Sequence, residues 1–257
     1  MGNLLMTEGV HVQTDNAVST ITFAHPKQNC FPQAQLNALT EAINTAATTS
    51  GVRVILLQSD LSKVFSAGAS FDELLAVKTS EQGKTFFMGF ANLINAMRLC
   101  PKPIVGRIHG KAIGGGVGII AACDYAIASE AAQIRLSELA IGIGPFVIAP
   151  AVARKIGDTA LTALAFQPKK WKSATWALQQ GLYAEVHPDN KTTNAAAIHT
   201  AEQLAQYAPD AVAALKKTLW DNTDHWKVEL PKNAETSGRL LLLPETQKTL
   251  QQLKSKS

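Results

Sequence analysis

The sequence pattern with the clearest chemical potential is a run of three glycines, at positions 114–116, with a glutamate further along the chain at Glu138. The glycines precede an apolar segment that predicts a helix. Without Cβ atoms at its start, such a helix exposes backbone N–H groups at the positive end of its dipole, which attracts a negatively charged oxygen. A tight, closely packed turn is the alternative interpretation. Glu138 lies among apolar residues, where a carboxyl pKa rises toward neutrality and the group can move protons.

A second loop carries a similar pattern of small residues, Phe65-Ser66-Ala67-Gly68-Ala69-Ser70-Phe71. It follows the β-branched run 52–57, and the glycines follow the run 104–108. Both runs predict buried parallel strands. Because α/β folds bind ligands at the carboxyl ends of parallel strands, we expect the two loops to meet at one site.

The elements predicted around these loops alternate between strand and helix. Residues 10–23 predict a β-hairpin, helical spacing marks 35–48 and 79–99, and a strand at 125–128 follows the helix after the glycines. This order predicts an α/β domain of βα units over residues 1–190. Residues 191–257 are helical in composition and predict a C-terminal region suited to oligomerisation.

Composition argues against several classes of protein. A chain of 257 residues with 46% apolar content can bury a large core, and its net charge of +4 is spread without the basic block that binds nucleic acid. Cys30, Cys100 and Cys123 lack CxxC spacing, so neither a disulfide framework nor a metal site is expected, and a cytoplasmic location fits best. Asp124 and the glycines interrupt the most apolar stretch, which argues against a membrane span.

In their order along the chain, these motifs resemble the crotonase signatures of the enoyl-CoA hydratase/isomerase family. The similar segments are the 65–69 loop, Pro103-Ile104-Val105 leading to Gly110, the triple glycine before Cys123-Asp124, Ser137-Glu138-Leu139-Ala140-Ile141-Gly142, Pro26-Lys27-Gln28-Asn29, and residues 174–186 with Gly181-Leu182-Tyr183. The resemblance covers nearly the whole chain.

The resemblance implies a crotonase (ClpP-like) fold, which is a spiral of ββα turns with a helical C-terminal trimerisation region. It implies an oxyanion hole made by the backbone N–H groups of Ala69 and Gly115, with Glu138 as the catalytic acid/base. It also implies an acyl-CoA substrate of fatty acid metabolism, no cofactor beyond the coenzyme A of that substrate, and a homotrimer or hexamer. The residues expected to bind substrate and coenzyme A are Lys27, Ala67, Gly68, Ser70, Phe71, Ile113 and Gly114, with Lys254 a candidate for the phosphates.

The reaction depends on how many carboxylates the site holds. By resemblance, hydratases carry one carboxylate two residues beyond the triple glycine, where this chain has Gly118, and a second at the position of Glu138. Orienting and deprotonating water is readily done with two carboxylates, whereas a single one suffices to carry a proton from C2 to C4. The sequence therefore favours conversion of 3-enoyl-CoA to 2-enoyl-CoA.

Two other functions stay open at this stage. The chain could be a hydratase that recruits Asp72 or Glu73 in place of the missing carboxylate, and His109 could assist either reaction. It could also be a catalytically inactive paralogue that binds coenzyme A. The length and branching of the acyl chain are not readable from the sequence.

Overall fold

The computed structural model describes residues 8–60 and 63–254, which form strands in three sheets together with surrounding helices. The strands are β1 (Gly9–Asp15), β2 (Val18–Ala24), β3 (Cys30–Phe31), β4 (Val54–Ser59), β5 (Val64–Ser66), β6 (Gly68–Ala69), β7 (Ile104–Ile108), β8 (Lys111–Ile113), β9 (Tyr125–Ser129), β10 (Ile134–Arg135) and β11 (Glu185–His187). The helices are α1 (Gln33–Thr48), α2 (Phe71–Ala76), α3 (Ser80–Leu99), α4 (Gly115–Ala122), α5 (Ala149–Ala165), α6 (Ala174–Gln179), α7 (Asn190–Gln206), α8 (Pro209–Leu219), α9 (Trp226–Leu241) and α10 (Pro244–Lys254).

Successive turns of the chain add strands to a large sheet and, in all but the last turn, to a smaller sheet before a helix follows. The large sheet has the order β1-β2-β4-β7-β9-β11, and the smaller sheets are β10-β8-β5 and β3-β6. Only the β1–β2 pairing is antiparallel among the named strand pairs of the described residues. This arrangement confirms the predicted ββα spiral and places the ends of β6 and β8 at the same side of the molecule.

The inner strands of the large sheet, β2, β4, β7 and β9, are buried on both faces because they carry apolar residues at successive positions. In β4, Ile55 and Leu57 face the main core, whereas Val54 and Leu56 face a second cluster. Three alanines of α7, at positions 197, 201 and 205, pack into that second cluster. Their spacing of four residues puts small side chains on one helical face, so α7 lies close against the sheet.

The structure therefore assigns α7 to the α/β layers, although the sequence grouped it with the C-terminal helices. Contacts with β4, β7, β9 and β11 hold it there. Helix α9 packs along α3 of the same chain, and α10 packs on α2 and α9. The division near residue 190 and the role of this region in oligomerisation stay predictions.

Several elements escaped the sequence analysis. Helices α5 and α6 and strand β11 were not predicted, and the region predicted as helical ends in two separate helices, α9 and α10. The second of these begins at Pro244, a residue suited to the first helical position but not to a helix interior. Within the described residues, no helix is both long and apolar enough to cross a membrane. The cytoplasmic location stays a prediction.

Asp124 joins the sheet to α8 and to Trp220, which ends that helix, through hydrogen bonds and an ion pair. Its Oδ2 accepts a hydrogen bond from Ile104 N at 2.8 Å and lies 2.7 Å from Nζ of Lys216, while its Oδ1 accepts from Trp220 Nε1 at 2.6 Å. Lys216 is only 4% exposed. By sequence Asp124 lies at a junction between a helix and a strand, where fixing the backbone geometry is its expected role, and the structure shows the contacts through which it does so.

Asp124→Asn should lower the free energy of unfolding by about 3–5 kcal/mol, because it leaves the buried ammonium of Lys216 without its counter-charge. Urea unfolding measures this difference. Asp221→Asn, at an exposed position, is the matched control and should change stability by less than about 0.5 kcal/mol. Equal stabilities for the two variants would show that the ion pair between Asp124 and Lys216 does not stabilise the protein.

Candidate active site

The short pairing between β3 and β6 brings the 65–71 loop beside the segment that contains Lys27. Cys30 is opposite Gly68 and Phe31 is opposite Ala69 in parallel register. Ala67 N donates to Gln28 O at 3.0 Å, which fixes the start of the loop. The pairing thus holds the middle of the loop beside the strand that follows Lys27.

Gly68 allows this loop to reach the triple glycine. Its φ is +83°, and a Cβ atom there would lie 2.6 Å from Ile113 O and 3.5 Å from Gly115 N. Only glycine permits both the left-handed backbone and this close approach. The two loops, which are far apart in sequence, therefore meet at the end of β8.

Helix α4 begins at this meeting point. Gly114 precedes the helix with φ +52° and ψ −119°, and its N–H donates to Arg135 O at 2.9 Å. Gly115 is the first helical residue, a position whose N–H has no acceptor within the helix. The amide of Gly115 therefore belongs to the positive end of the α4 dipole.

A cavity of about 890 Å³ opens where these loops meet. Its lining includes nearly all of the site residues predicted from the sequence: Lys27, Ala67, Gly68, Ala69, Phe71, Ile113, Gly114, Gly115 and Glu138. Ser70 is the exception. It is buried at the start of α2, where its backbone N–H donates to Phe31 O at 3.1 Å, so it supports the loop and does not line the cavity.

Glu138 presents its carboxyl group to this cavity from a short 3-10 helix, Glu138–Ile141. Gly142 closes that helix by donating to the carbonyls of Glu138 and Leu139. Oε1 would lie 2.8 Å from a Cβ atom on Gly114, and Oε2 is buried without a hydrogen-bond partner among the described residues. The carboxyl group therefore rests directly against the backbone of the glycine turn.

The surroundings of Glu138 tune its acidity to neutral pH. Burial raises the pKa of Glu138 to about 7, against smaller opposing contributions from backbone hydrogen bonds and from the charge of Arg135. Ile141, Ile143, Phe146 and Val147 contribute to the apolar lining of the cavity. A carboxyl group with this pKa can accept and donate a proton near pH 7.

The other carboxylates considered in the sequence analysis have different partners. Asp72 lines the cavity but forms an ion pair with Lys27, and both side chains are more than half exposed. The hydrogen bond between them lowers the pKa of Asp72 and raises the pKa of Lys27. Glu73 Oε2 accepts from Gln33 N at 2.8 Å, which caps the start of α1.

His109 is buried away from this cavity. Its carbonyl accepts a hydrogen bond from Ser129 Oγ at 2.8 Å, and its ring packs edge-on against Phe65. It is not among the lining residues. Within the part of the chain that the structure describes, Glu138 is thus the buried carboxylate of the cavity.

The position of the absent carboxylate is filled by another side chain. A Cβ atom on Gly118 would lie 2.4 Å from Cγ2 and 2.5 Å from Cβ of Ile148, at the start of α5. Ile148 also lines the cavity. Apolar packing therefore occupies the space that a carboxylate at position 118 would require.

Sequence reasoning missed several lining residues. Arg135 lines the cavity three positions before Glu138, and Thr249, Gln252 and Leu253 of α10 close one side of it. A basic residue at the end of a strand beside a candidate acid was a signal for Arg135. The contribution of α10 had no such signal, apart from the proposed contact of Lys254, which does line the cavity.

Comparison with known proteins assigns this chain to a family. The enoyl-CoA hydratase/isomerase family matches residues 13–252. The chain belongs to this family. It is 29% identical over 216 residues to the "Probable enoyl-CoA hydratase" of Bacillus subtilis, with 83% of this chain and 82% of the relative covered. It is 26% identical to the mitochondrial Δ(3,5)-Δ(2,4)-dienoyl-CoA isomerase of Homo sapiens, covering 77% of this chain and 64% of that protein.

The fold agrees with this membership. The crystal structure of an enoyl-CoA hydratase from Bacillus halodurans superposes with a TM-score of 0.88 and covers 95% of this chain and 99% of its own, at 24% identity. The crotonase fold expected from the sequence is therefore confirmed. The chain is an enzyme of the hydratase/isomerase type, and the cavity around Glu138 is its candidate active site.

Gly114→Ala should reduce the catalytic activity of this enzyme by roughly 100-fold, because the new methyl group displaces the Glu138 carboxyl and strains the backbone at φ +52°. Steady-state kinetics with acyl-CoA substrates measure the loss. Gly51→Ala is the matched control, since Gly51 has φ +84° but open space around its Cβ position. It should cost about 1–2 kcal/mol of stability and keep full activity. Equal activity losses in both variants would contradict the proposed contact.

Proposed function

We propose that this enzyme converts 3-enoyl-CoA thioesters into 2-enoyl-CoA thioesters, with Glu138 as the acid/base. The observation that carries the proposal is a cavity in which Glu138, with a pKa of about 7, is the single buried carboxyl group among the described lining residues and Ile148 fills the space of a second one. A proton shuttle needs one such group. The relatives named as hydratase and isomerase are compatible with chemistry at C2 of an acyl-CoA.

The backbone N–H groups of Ala69 and Gly115 would hold the thioester oxygen. Both residues line the cavity, from loops that Gly68 brings into contact. Removal of a proton from C2 moves negative charge onto the thioester oxygen, and fixed amides stabilise that charge without reorganising. One such donor contributes about 2.7–4 kcal/mol to the barrier reduction.

Glu138 would take the proton from C2 and return it at C4. The C2–H bond breaks as its electrons form the enolate, and reprotonation at C4 shifts the double bond into conjugation with the thioester. Because the pKa of Glu138 lies near 7, both the carboxylate that accepts a proton and the carboxylic acid that returns it are accessible at neutral pH. The apolar lining limits the access of water that could compete for the enolate.

A hydratase is the main alternative. Adding water to 2-enoyl-CoA requires a group that orients the water. Asp72, one of the two carboxylates considered in place of the one absent at position 118, forms an ion pair with Lys27 at the exposed edge of the cavity. A catalytically inactive paralogue is the remaining alternative. It would leave a carboxyl group buried without a hydrogen-bond partner for its Oε2, at a cost in stability and with no function in return.

Side-by-side assays of 3-enoyl-CoA and 2-enoyl-CoA decide between these functions. Double-bond migration should dominate, and Glu138→Gln should lower its rate by about 10²–10⁴-fold, the usual contribution of a general acid/base. Glu130→Gln, at an exposed position, is the matched control and should keep the parent rate. Strong hydration without migration would reject the isomerase, and binding without any turnover would support the inactive paralogue.

The pH dependence of kcat/KM should report the ionisation of Glu138. The carboxylate form is the one that accepts the C2 proton, so activity should fall as the pH decreases through about 7, well above the usual range of a glutamate. A pH–rate profile in non-coordinating buffers measures the midpoint. An acidic limb near pH 4.5 would show that the working carboxylate is solvated and is not this one.

Replacing two residues should introduce hydration. Gly118→Glu alone should destabilise the protein by about 1–3 kcal/mol or more, because its Cβ atom overlaps Ile148. Combined with Ile148→Ala, it should fold and hydrate 2-enoyl-CoA at least about 10-fold faster than Ile148→Ala alone. The double variant Gly118→Gln, Ile148→Ala is the control, because glutamine has the shape of glutamate without its carboxylate. Equal hydration by the Glu and Gln variants would show that a second carboxylate is not what the site lacks.

A further inference from the structure

Arg135 places a positive charge in a cavity with a mainly apolar lining. It ends β10 in register with Ile113 of β8, and its carbonyl accepts from Gly114 N at 2.9 Å. It therefore shares the glycine turn and the cavity with Glu138. The proposed proton shuttle does not require a cation at this position.

An indole ring holds the Arg135 side chain in place. An isolated antiparallel bridge joins Ile134 to Lys172, with hydrogen bonds of 2.9 and 3.0 Å in the two directions. The bridge puts Trp171 beside Arg135, whose guanidinium carbon lies 4.5 Å from the centre of the indole. Stacking on an aromatic face leaves the edge of a guanidinium able to donate in its own plane.

The hydrogen-bonding capacity of Arg135 is incompletely used by the protein. Its Nε is buried and has no acceptor among the described residues, and no carboxylate oxygen of those residues lies within 4.0 Å of its nitrogens. Burial lowers the pKa of Arg135, opposed by the charge of Glu138. A buried cationic donor without an acceptor carries a desolvation cost that a bound anion would offset.

Among the described residues, four cationic ones line the cavity, namely Lys27, Arg135, Lys169 and Lys254, and three of them act on a carboxylate of the cavity. Lys27 and Lys254 both act electrostatically on Asp72 at the exposed edge. Arg135 acts on Glu138 instead. A ligand with two anionic parts would have a cationic partner for each, Lys27 and Lys254 for the phosphates of coenzyme A and Arg135 for a second anion.

We infer that Arg135, stacked on Trp171, binds a carboxylate at the far end of the substrate acyl chain. The substrates would then be coenzyme A monothioesters of unsaturated dicarboxylic acids. This inference rests on the proposed function, because it takes the ligand of the cavity to be an acyl-CoA. The guanidinium would also offset the repulsion between the bound carboxylate and ionised Glu138.

Binding of saturated ligands tests this subsite without requiring turnover. Calorimetry would compare butanoyl-, hexanoyl- and octanoyl-CoA with the monothioesters of butanedioic, hexanedioic and octanedioic acids. The wild-type protein should bind at least one dicarboxylic ligand roughly 10-fold or more tightly than its matched monocarboxylic ligand, a difference of about 1.4 kcal/mol. Arg135→Met should abolish that preference, and Arg135→Lys should retain part of it.

Two controls separate the carboxylate subsite from other effects. Lys111→Met removes another cation beside Trp171, at 5.0 Å from its ring, from a residue that does not line the cavity, and should leave the preference unchanged. Glu138→Gln should preserve or increase the preference, because it removes a nearby negative charge. If Arg135→Met unfolds, the wild-type ligand ratios and Arg135→Lys still decide the question.

Specific outcomes would overturn the inference. A wild-type protein that binds each monocarboxylic ligand as tightly as its dicarboxylic partner rejects it. So does an Arg135→Met variant that weakens both ligand series equally, which would indicate a contact with coenzyme A phosphates or a structural role. If no acyl-CoA binds at all, the proposed function fails with it. If the ligands bind without preference, the proposed function stands and only the dicarboxylic specificity falls.

Discussion

The structure depends on keeping one carboxyl group out of water yet within reach of a ligand. Burial raises the pKa of Glu138 to about 7, and the elements around it serve to hold that environment. The 3-10 helix that begins at Glu138 ends at Gly142, where Thr246 of α10 donates to the Gly142 carbonyl at 3.1 Å. Helix α10 thus supports the 3-10 helix that carries Glu138. Gly114, on the opposite side, provides the space that the carboxyl group occupies.

The same constraint explains why the proposed mechanism relies on backbone amides. In that proposal, dipoles at the start of α4 stabilise the developing oxyanion without introducing a full charge that would shift the pKa of Glu138. The charges that are present have distinct positions. Lys27 and Asp72 neutralise each other at the exposed edge, and Arg135 stands closer to Glu138. Solvent screens the exposed Lys27–Asp72 pair, whereas a charge nearer the apolar lining interacts more strongly with a ligand.

The sequence was sufficient to predict the parts of the site that depend on local patterns. The buried strands β4 and β7 and the glycine turn before α4 each have a local signature, and their order predicted an α/β domain. The resemblance to a known family implied the specific fold and the role of Glu138. Arg135 and Ile148 were missed because their contacts come from packing between distant segments. Arg135 stacks on Trp171, which the bridge between Ile134 and Lys172 holds beside it, and Ile148 packs against Gly118. Ser70 was expected to line the cavity, but its backbone N–H donates a hydrogen bond to Phe31 O. Helix α7 was grouped with the C-terminal helices because helical composition does not reveal which surface three alanines will cover.

The central claim is that one thioester oxygen lies between two main-chain amides while its C2 atom faces Glu138. The most direct test is a crystal structure with a saturated, unreactive acyl-CoA bound at pH 6, where Glu138 is mostly protonated. The account predicts the thioester oxygen at about 3 Å from the nitrogens of both Ala69 and Gly115, with C2 next to the Glu138 carboxyl group. A thioester oxygen that contacts neither amide, or a C2 atom turned away from Glu138, would contradict it.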